Sequence, residues 1–269
     1  MIRFLVFCVY PSHASPMPLA VVPEAVSDIA IAYAKQSFKL ASISDLLKED
    51  EGLAALYDDV LRGIVSNVKS QPGGFVATSG VVLPYYLNLS TNFMDPRVAP
   101  RLVSLVIETL LRAVIPSLDL SLGERVAIVG MEVAGGMLVS QLAAAANTKL
   151  LEVCDFIYMR KNRKTTGTAQ QLEAMQVFTS RTPTSAKLKA IWVDDCNSTG
   201  SSLCEGIVTL QEDYNIDVVQ ALYIVDRSHD RKDLPNARQK LSDERFVSGA
   251  TVISAIMDLS EVDVLVPRT

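Results

Sequence analysis

The pattern of apolar and polar positions divides the chain into a mainly helical first part and a second part of alternating strands and helices. From residue 23 to about residue 70, apolar residues recur at spacings of three and four, which is typical of amphipathic helices. Ser27 and Ser44, each followed by an aspartate, offer side chains that favour helix N-termini. Residues 1–23 contain four prolines and are predicted to form an irregular extension.

A small β element is predicted between this helical part and the main sheet. Residues 71–74, Gln-Pro-Gly-Gly, indicate a turn, and residues 75–89 then favour two short β segments joined near Gly80. Residues 98–115 repeat apolar positions at helical spacing, and we expect that helix to stop before Pro116.

From residue 125 onward, short apolar runs rich in β-branched residues alternate with helical stretches. Apolar strands that alternate with helices indicate a parallel sheet covered on both faces. The sequence therefore predicts an α/β fold with this sheet at its centre, the small β element beside it and extra helices at the N-terminus. In such sheets, ligands bind beyond the carboxyl ends of the strands. The predicted strands are 126–129, 155–159, 188–193 and 218–225, and the predicted helices are 137–147 and 202–212.

Composition and charge narrow the function classes. The chain has 269 residues, 49% apolar and 20% charged, which is ordinary for a globular protein and ample for a core. We predict one domain over residues 24–269, with the helical layer and β element in 24–95 and the core in 96–269. The net charge of −5 disfavours nucleic-acid binding, and the absence of an apolar run of about 18 residues predicts no membrane span.

The cysteines and histidines argue against a zinc site. The four cysteines form no C-x-x-C pair and the chain has only two histidines, whereas zinc sites need clustered ligands. Scattered cysteines suit a reducing compartment, so we predict a cytoplasmic protein. Arg3 followed by the apolar residues 4–10 leaves secretion or organelle targeting open as alternatives.

The most informative segment is residues 191–203, in which an apolar strand ends in two acids and then enters a helix through small polar residues. Backbone N–H groups and hydroxyls at a helix N-terminus form an anion site, and Gly200 permits a tight turn there. Asp194 and Asp195 can accept hydrogen bonds from the vicinal hydroxyls of a ribose. A ribose 5-phosphate would satisfy both halves, whereas a simple helix cap would need only one of these side chains.

This segment resembles the 13-residue phosphoribosyl-pyrophosphate signature of the type I phosphoribosyltransferases. The resemblance implies that the acids hold the ribose hydroxyls and that the turn wraps the 5′-phosphate, although Cys196 and Asn197 depart from the residues common there. The residues that it assigns to phosphoribosyl pyrophosphate in this segment are Asp194, Asp195, Asn197, Ser198, Thr199, Gly200 and Ser201.

A basic run follows the predicted strand 155–159 and carries four cations in five residues, 160–164. Such a run is often only a solvated face. It resembles, however, the catalytic loop of orotate phosphoribosyltransferases, Arg-Lys-x-x-Lys-x-x-Gly, with Thr166 where bacterial members often have histidine. The resemblance implies that the loop 160–173 supports the departing pyrophosphate in the neighbouring subunit of a homodimer. The matching residues are Arg160, Lys161, Lys164 and Gly167, and the first three are predicted to be catalytic together with Asp194 and Asp195.

A glycine loop at residues 129–136 links a predicted strand to the next helix. It is consistent with a tight strand-to-helix turn. In the family, a loop at this position contacts pyrophosphate, which implies that role for Gly135 and Gly136. Members often carry a lysine there, and this chain has none.

The base pocket is predicted from two further resemblances. Residues 78–89 resemble the family's hood over the base, with Thr78 in place of a lysine. The resemblance implies that Tyr86 contacts the pyrimidine, with Tyr85 as the second candidate. The strand that ends at Asp226 resembles a family strand whose following arginine, here Arg227, pairs with the carboxylate of orotate. The alternative for residues 78–89 is a half-buried aromatic hairpin without a ligand. The alternative for Asp226 and Arg227 is a helix cap or a surface ion pair. The base-binding residues implied are Tyr85, Tyr86, Thr199 and Arg227.

Together these resemblances imply transfer of ribose 5-phosphate from 5-phosphoribosyl 1-pyrophosphate to orotate, in pyrimidine nucleotide synthesis. Mg²⁺ is the expected cofactor, held through the substrate's oxygens rather than directly by protein ligands. Two alternatives stay open: a phosphoribosyltransferase for another base, and a non-catalytic relative that only binds phosphoribosyl pyrophosphate.

Overall fold

The computed structural model of the chain describes residues 43–76, 82–166, 170–181, 188–227, 240, 251–259, 262 and 265. The predicted extension 1–23 and the helical stretch 24–42 lie outside the described residues. The proposed domain boundaries therefore stay predictions.

Two helices open the described part of the chain. Helix α1 spans Ile43–Glu49 and α2 spans Glu51–Ser66, where the helical pattern predicts them. The residue that begins α2 is Asp50, whose carboxylate accepts the Leu53 N–H at 3.0 Å. The N-cap predicted near Ser44 is wrong, since that residue already lies inside α1. The buried face of α2 is Leu53, Tyr57, Val60, Leu61 and Ile64.

The small β element is an antiparallel pair. Strand β1 spans Lys69–Val76 and β2 spans Val82–Tyr86, with Lys69 opposite Tyr86 and Val76 opposite Val82. The turn predicted at residues 71–74 is wrong, because these residues lie inside β1. The pairing register shifts there, and Gly73 and Gly74 have φ of 81° and 74°, so the glycines form an irregularity within the strand.

A long helical stretch follows the β element and packs beneath the main sheet. Helix α3 spans Leu89–Met94 and α4 spans Ala99–Thr109. The chain then continues through a π-helical turn, Leu110–Val114, and a 3₁₀ turn, Ile115–Ser117. The predicted helix over 98–115 is confirmed, but its predicted end before Pro116 is wrong, because Pro116 lies in the tightened last turn.

Six strands form the main sheet in the order β5-β4-β3-β6-β7-β8. The pairs β4–β3, β3–β6, β6–β7 and β7–β8 are parallel, whereas the short edge strand β5 is antiparallel to β4. The parallel sheet is confirmed, and the two edge strands are additions that the sequence pattern did not predict. The strands are β3 Val126–Met131, β4 Cys154–Met159, β5 Leu172–Glu173, β6 Leu188–Asn197, β7 Ile216–Asp226 and β8 Val252–Asp258.

Helices cover both faces of this sheet. Successive strand residues point to opposite faces, so Ile191 packs with α1–α5 while Trp192 packs with the helices of the other face. None of the described helices is long and apolar enough to cross a membrane. The remaining helices are α5 Ala134–Ala145, α6 Thr148–Val153, α7 Met175–Arg181 and α8 Ser201–Tyr214.

Candidate functional site

The centre of the site is the turn between β6 and α8. Strand β6 is apolar and buried from Ala190 to Val193 and then continues through Asp194 and Asp195, which are half-buried at its carboxyl end. Ser198 and Thr199 form a bend. Gly200 then adopts the left-handed conformation, with φ of 66°, a conformation that costs little only for glycine.

The turn leaves the N-terminus of α8 open to an anion. Gly200 occupies the N-cap and supplies no side chain to the helix, and no acidic residue lies in the first turn. The first N–H groups of a helix have no acceptor within it, and the helix dipole places partial positive charge there. Thr199 Oγ1 and Ser201 Oγ, 3.0 Å apart, add two hydroxyls at the same point. Backbone donors and hydroxyls of this kind suit a phosphate group.

Lys240 adds a cation that sequence reasoning missed. Its Nζ donates a hydrogen bond of 2.8 Å to Ser201 Oγ, at the entrance of α8. The lysine lies 39 residues further along the chain, in a stretch without any recognisable motif. Its contribution arises from the tertiary fold, so no local pattern could have indicated it.

The two acids are half-buried neighbours that share a hydrogen bond. The Asp195 N–H donates to Asp194 Oδ1 at 2.9 Å. Burial, and then the charge of Asp195, raises the pKa of Asp194. Burial also raises the pKa of Asp195, while the nearby Arg227 guanidinium works in the opposite direction. The ionised form of a carboxyl group in such surroundings is stabilised when hydroxyl donors or a cation approach it.

Arg227 and Asn197 join the ends of β6 and β7. The Arg227 N–H donates to the Asn197 carbonyl at 2.7 Å, and Asn197 Nδ2 donates to Asp226 Oδ1 at 3.0 Å. Asn197 is buried, and its Oδ1 has no hydrogen-bond partner among the described residues. The structure thus places Arg227 beside the acid pair, and it directs the Asn197 amide group toward β7.

The glycine loop lies against the acid pair. A Cβ on Gly135 would stand 2.9 Å from the Val193 carbonyl oxygen and 3.2 Å from Asp194 Oδ1. A Cβ on Gly136 would stand 2.3 Å from the Tyr158 ring. Both glycines are buried. The close packing of α5 on the sheet is by itself enough to require them, without any contact to a ligand. The same packing brings the backbone of the loop beside Asp194.

The basic run starts at the base of a narrow loop. The Arg160 N–H donates to the Gln171 carbonyl at 2.9 Å, and Gln171 Nε2 donates back to the carbonyls of Arg160 and Lys161. The Lys161 N–H donates to Glu132 Oε1 at 2.9 Å, which ties this loop to the glycine loop. Arg160 and Lys164 both bind Glu173. Gly167 lies outside the described residues.

Arg163 is the cation of this run that lies outside the family pattern. It is held away from the turn between β6 and α8 (the phosphate turn). It pairs with Asp213 at 2.8 Å. Asp213 lies near the C-terminal end of α8, about 18 Å along the helix from Ser201. The structure therefore does not bring Arg163 to the N-terminus of α8.

The two candidate tyrosines of the β element differ in exposure. Tyr85 is 7% exposed and packs in the core, whereas Tyr86 on the opposite face of β2 is 44% exposed. The ring of Tyr86 lies 5.8 Å from that of Phe75. Tyr86 is therefore the tyrosine available to a ligand. Thr78, Ser79 and Gly80 lie outside the described residues.

Metal ligands are sparse in this site. Within the described ranges, no group of three or more His, Cys, Asp or Glu side chains could hold a metal ion. Asp194 and Asp195 lie just before the turn between β6 and α8 in the chain, and oxygen ligands suit a hard divalent cation. Any such ion would need most of its ligands from a substrate and from water.

Sequence comparison finds no match, since neither a family profile nor a curated protein sequence matches the chain. Solved structures do match it. The orotate phosphoribosyltransferase of Aeropyrum pernix aligns with a TM-score of 0.52 and 24% identity, over 77% of this chain and 95% of that one. The orotate phosphoribosyltransferase of Mycobacterium tuberculosis H37Rv aligns with a TM-score of 0.50 and 18% identity, over 78% and 98%.

UMP synthase of Leishmania donovani aligns with a TM-score of 0.52 and 18% identity. This alignment covers 78% of the present chain but only 38% of that longer protein. At these identities the likeness establishes the fold. The chain has the type I phosphoribosyltransferase fold.

Proposed function

We propose that the protein transfers ribose 5-phosphate from 5-phosphoribosyl 1-pyrophosphate to orotate, giving orotidine 5′-phosphate and pyrophosphate. The observation that carries the proposal is the turn at the end of β6. There a half-buried acid pair is followed at once by an uncapped helix N-terminus with two hydroxyls and a left-handed glycine. Acceptors for sugar hydroxyls and donors for a phosphate thus stand side by side.

The ribose and its phosphate would bind as one unit. Asp194 and Asp195 accept hydrogen bonds from the 2′- and 3′-hydroxyls, while the backbone N–H groups of residues 199–203 surround the 5′-phosphate. The contacts at the hydroxyls and at the phosphate hold the sugar at both ends and so fix its orientation. Orientation of this kind contributes to the rate because the reacting atoms are already placed.

The reaction forms a bond between the pyrimidine N1 and the ribose C1′ and breaks the bond between C1′ and the pyrophosphate oxygen. The bonding pair leaves with pyrophosphate, and the N1 proton of orotate passes to the departing pyrophosphate or to water. The transition state is cation-like at the ribose, so no covalent nucleophile is needed. Arg160, Lys161 and Lys164 would stabilise the negative charge that develops on the leaving group.

Mg²⁺ is the proposed cofactor. Its ligands would be chiefly the oxygens of the pyrophosphate and ribose, with Asp194 and Asp195 linked to it through water. When bound, the ion would neutralise charge on the pyrophosphate. The described carboxylates fit this supporting role, because they lie in a pair rather than in a closed set of ligands.

Orotate is the proposed base because the chain places a cation, Arg227, near the acid pair and has an exposed aromatic ring, Tyr86. The guanidinium of Arg227 can pair with a carboxylate in bidentate fashion, and it already lies near an acid, Asp195. Tyr86 offers its ring to a planar base. The names of the matching structures, two orotate phosphoribosyltransferases and a UMP synthase, agree with this choice. A different base is the alternative within the same reaction.

A non-catalytic binding protein is the second candidate, and one observation favours it. The glycine loop has no lysine and instead carries Glu132, whose carboxylate accepts the Lys161 N–H. A carboxylate beside the expected pyrophosphate position repels the leaving group, which would weaken turnover more than binding of the sugar phosphate.

We further propose a homodimer and a cytoplasmic location, as the sequence predicts.

Turnover is tested by incubating the protein with orotate, phosphoribosyl pyrophosphate and Mg²⁺ and following the loss of orotate absorbance. The expected result is a rate that depends on all three components and on Asp194 and Asp195, with uracil and adenine as control bases. Turnover of one of these bases instead would identify another base as substrate. Tight binding of ribose 5-phosphate without turnover of any base would support the non-catalytic protein.

A further inference from the structure

The basic loop carries its own counter-anion. Glu173 Oε1 accepts hydrogen bonds from Arg160 Nε at 3.0 Å, from Arg160 Nη2 at 2.9 Å and from Lys164 Nζ at 3.2 Å. The side chains of all three residues are 31–40% exposed, so water and ions reach the cluster. A single carboxylate oxygen therefore occupies two of the cations that the proposed reaction assigns to pyrophosphate.

The fold, rather than a chance surface contact, places Glu173 there. Strand β5 returns antiparallel to β4 and sets Glu173 directly opposite Tyr158. The backbone bond from Arg160 to Gln171 closes the base of the loop two residues further on. The Arg160 guanidinium also lies 5.9 Å from the centre of the Tyr158 ring. Arg160 is thus held by two contacts, and Lys164 by its contact with Glu173.

The other carboxylates around the loop are engaged elsewhere. Glu132 accepts the Lys161 N–H and lies 3.4 Å from the Tyr158 hydroxyl, and Asp213 binds Arg163. Among the described residues, Glu173 is therefore the acid that pairs with Arg160 and Lys164. Its removal would release both cations without disturbing the other two anchors of the loop.

We infer that Glu173 competes with pyrophosphate for Arg160 and Lys164 and thereby lowers the affinity of the loop for that anion. The inference rests on the proposed function. When pyrophosphate binds, the hydrogen bonds from Arg160 and Lys164 to Glu173 are replaced by hydrogen bonds to phosphate oxygens. When pyrophosphate leaves, Glu173 accepts from both cations again. The exchange spares the two cations from standing unpaired and favours release of the product.

The test is a calorimetric titration of pyrophosphate with Mg²⁺ into the full-length protein and its variants. Glu173→Gln keeps the shape of the side chain and removes its charge. Glu152→Gln is the matched control, because it removes the same charge from an exposed position on α6, which precedes the amino end of β4, whereas the loop follows the carboxyl end of that strand. Ribose 5-phosphate is titrated in parallel, since its site at the turn after β6 does not include the loop.

The expected result is that Glu173→Gln binds pyrophosphate about threefold to tenfold more tightly than the wild type, the range for losing two exposed ion pairs. Glu152→Gln should bind pyrophosphate as the wild type does. The affinity for ribose 5-phosphate should be the same in all three proteins. Equal or weaker pyrophosphate binding by Glu173→Gln, with normal binding of ribose 5-phosphate, would overturn only this inference. A wild type that binds neither ligand would overturn the proposed function as well.

Discussion

At the scale of single residues, Asp194 couples binding to stability through its pKa. Burial and the neighbouring Asp195 raise that pKa in the folded chain. A carboxyl group with a raised pKa takes up a proton on folding between its unfolded and folded pKa values. Stability therefore falls as the pH rises through that interval. The acid pair is a cost to the fold that only a bound ligand offsets.

Asp194→Asn should therefore stabilise the protein while it weakens ribose binding. We expect its free energy of unfolding to exceed that of the wild type at neutral pH and above. The difference should shrink as the pH falls and vanish below about pH 4, where the aspartate is protonated in both states. Urea unfolding of both proteins across this pH range measures it. A difference that does not vary with pH would show that the pKa is not raised.

Lys240 is expected to strengthen phosphate binding at the entrance of α8. Its Nζ lies 2.8 Å from Ser201 Oγ, within the group of donors that would surround the 5′-phosphate. Lys240→Met should weaken binding of ribose 5-phosphate about tenfold, the usual effect of losing one charge-assisted hydrogen bond.

Calorimetry with ribose 5-phosphate checks this, with Lys149→Met on the exposed surface of α6 as the matched loss of charge. Ribose without phosphate should bind both variants and the wild type alike. If the two lysine variants lose affinity equally, the effect comes from the overall charge and the local assignment of Lys240 fails.

At the scale of elements, the position of α8 depends on the contact between Gly206 and Trp192. A Cβ on Gly206 would stand 2.2 Å from Trp192 Cζ3, and the tryptophan is fully buried in β6. The same strand ends in the acid pair, and the same helix begins at the phosphate turn. Tight packing between them fixes the distance from the acids to the helix N-terminus.

Gly206→Ala should destabilise the fold by about 1–3 kcal/mol through overpacking, although alanine is normally the better helix former. Gly52→Ala in α2 is the control, because its Cβ would meet only the Asp50 carboxylate, at 3.2 Å. Urea unfolding compares the two variants. A Gly206→Ala protein as stable as Gly52→Ala would mean that α8 shifts freely away from the sheet.

The elements that could be predicted are those whose pattern is local. The buried strands β3, β4, β6 and β7 each contain an apolar run, and α5 and α8 follow at helical spacing, so the order of these segments predicted the parallel sheet. Strand β5 has two residues and exists only because it pairs with β4. The glycines at 73 and 74 predicted a turn, but the residues on either side of them pair with β2, so they form an irregularity within a strand.

At the scale of the whole molecule, the same distinction governs the site. Asp194 and the residues up to Ser201 are contiguous, so their chemistry could be predicted from the sequence. Lys240 and Glu173 act through contacts that form only when distant or paired segments meet. The sequence identified Arg160 and Lys164 as candidate catalytic cations, but not the acid that holds them.

The proposed homodimer makes a prediction about shared sites. If the loop 160–173 serves the neighbouring subunit, Lys164→Met and Asp195→Asn each inactivate a different half of every site. Equal amounts of the two inactive variants, unfolded together and refolded, should regain about a quarter of the wild-type rate, because half of the dimers then carry one intact site. The orotate assay measures it. No recovery, with mixed dimers shown to form, would place the loop in its own subunit's site.

The most direct measurement of the central claim is calorimetric titration of ribose 5-phosphate into the wild type and into an Asp194→Asn, Asp195→Asn double variant, beside ribose and inorganic phosphate. The wild type should bind ribose 5-phosphate far more tightly than either half of the ligand. The double variant should bind it no better than inorganic phosphate. Equal affinity of the wild type for ribose 5-phosphate and inorganic phosphate would contradict the account, because the acids would then play no part in holding the sugar.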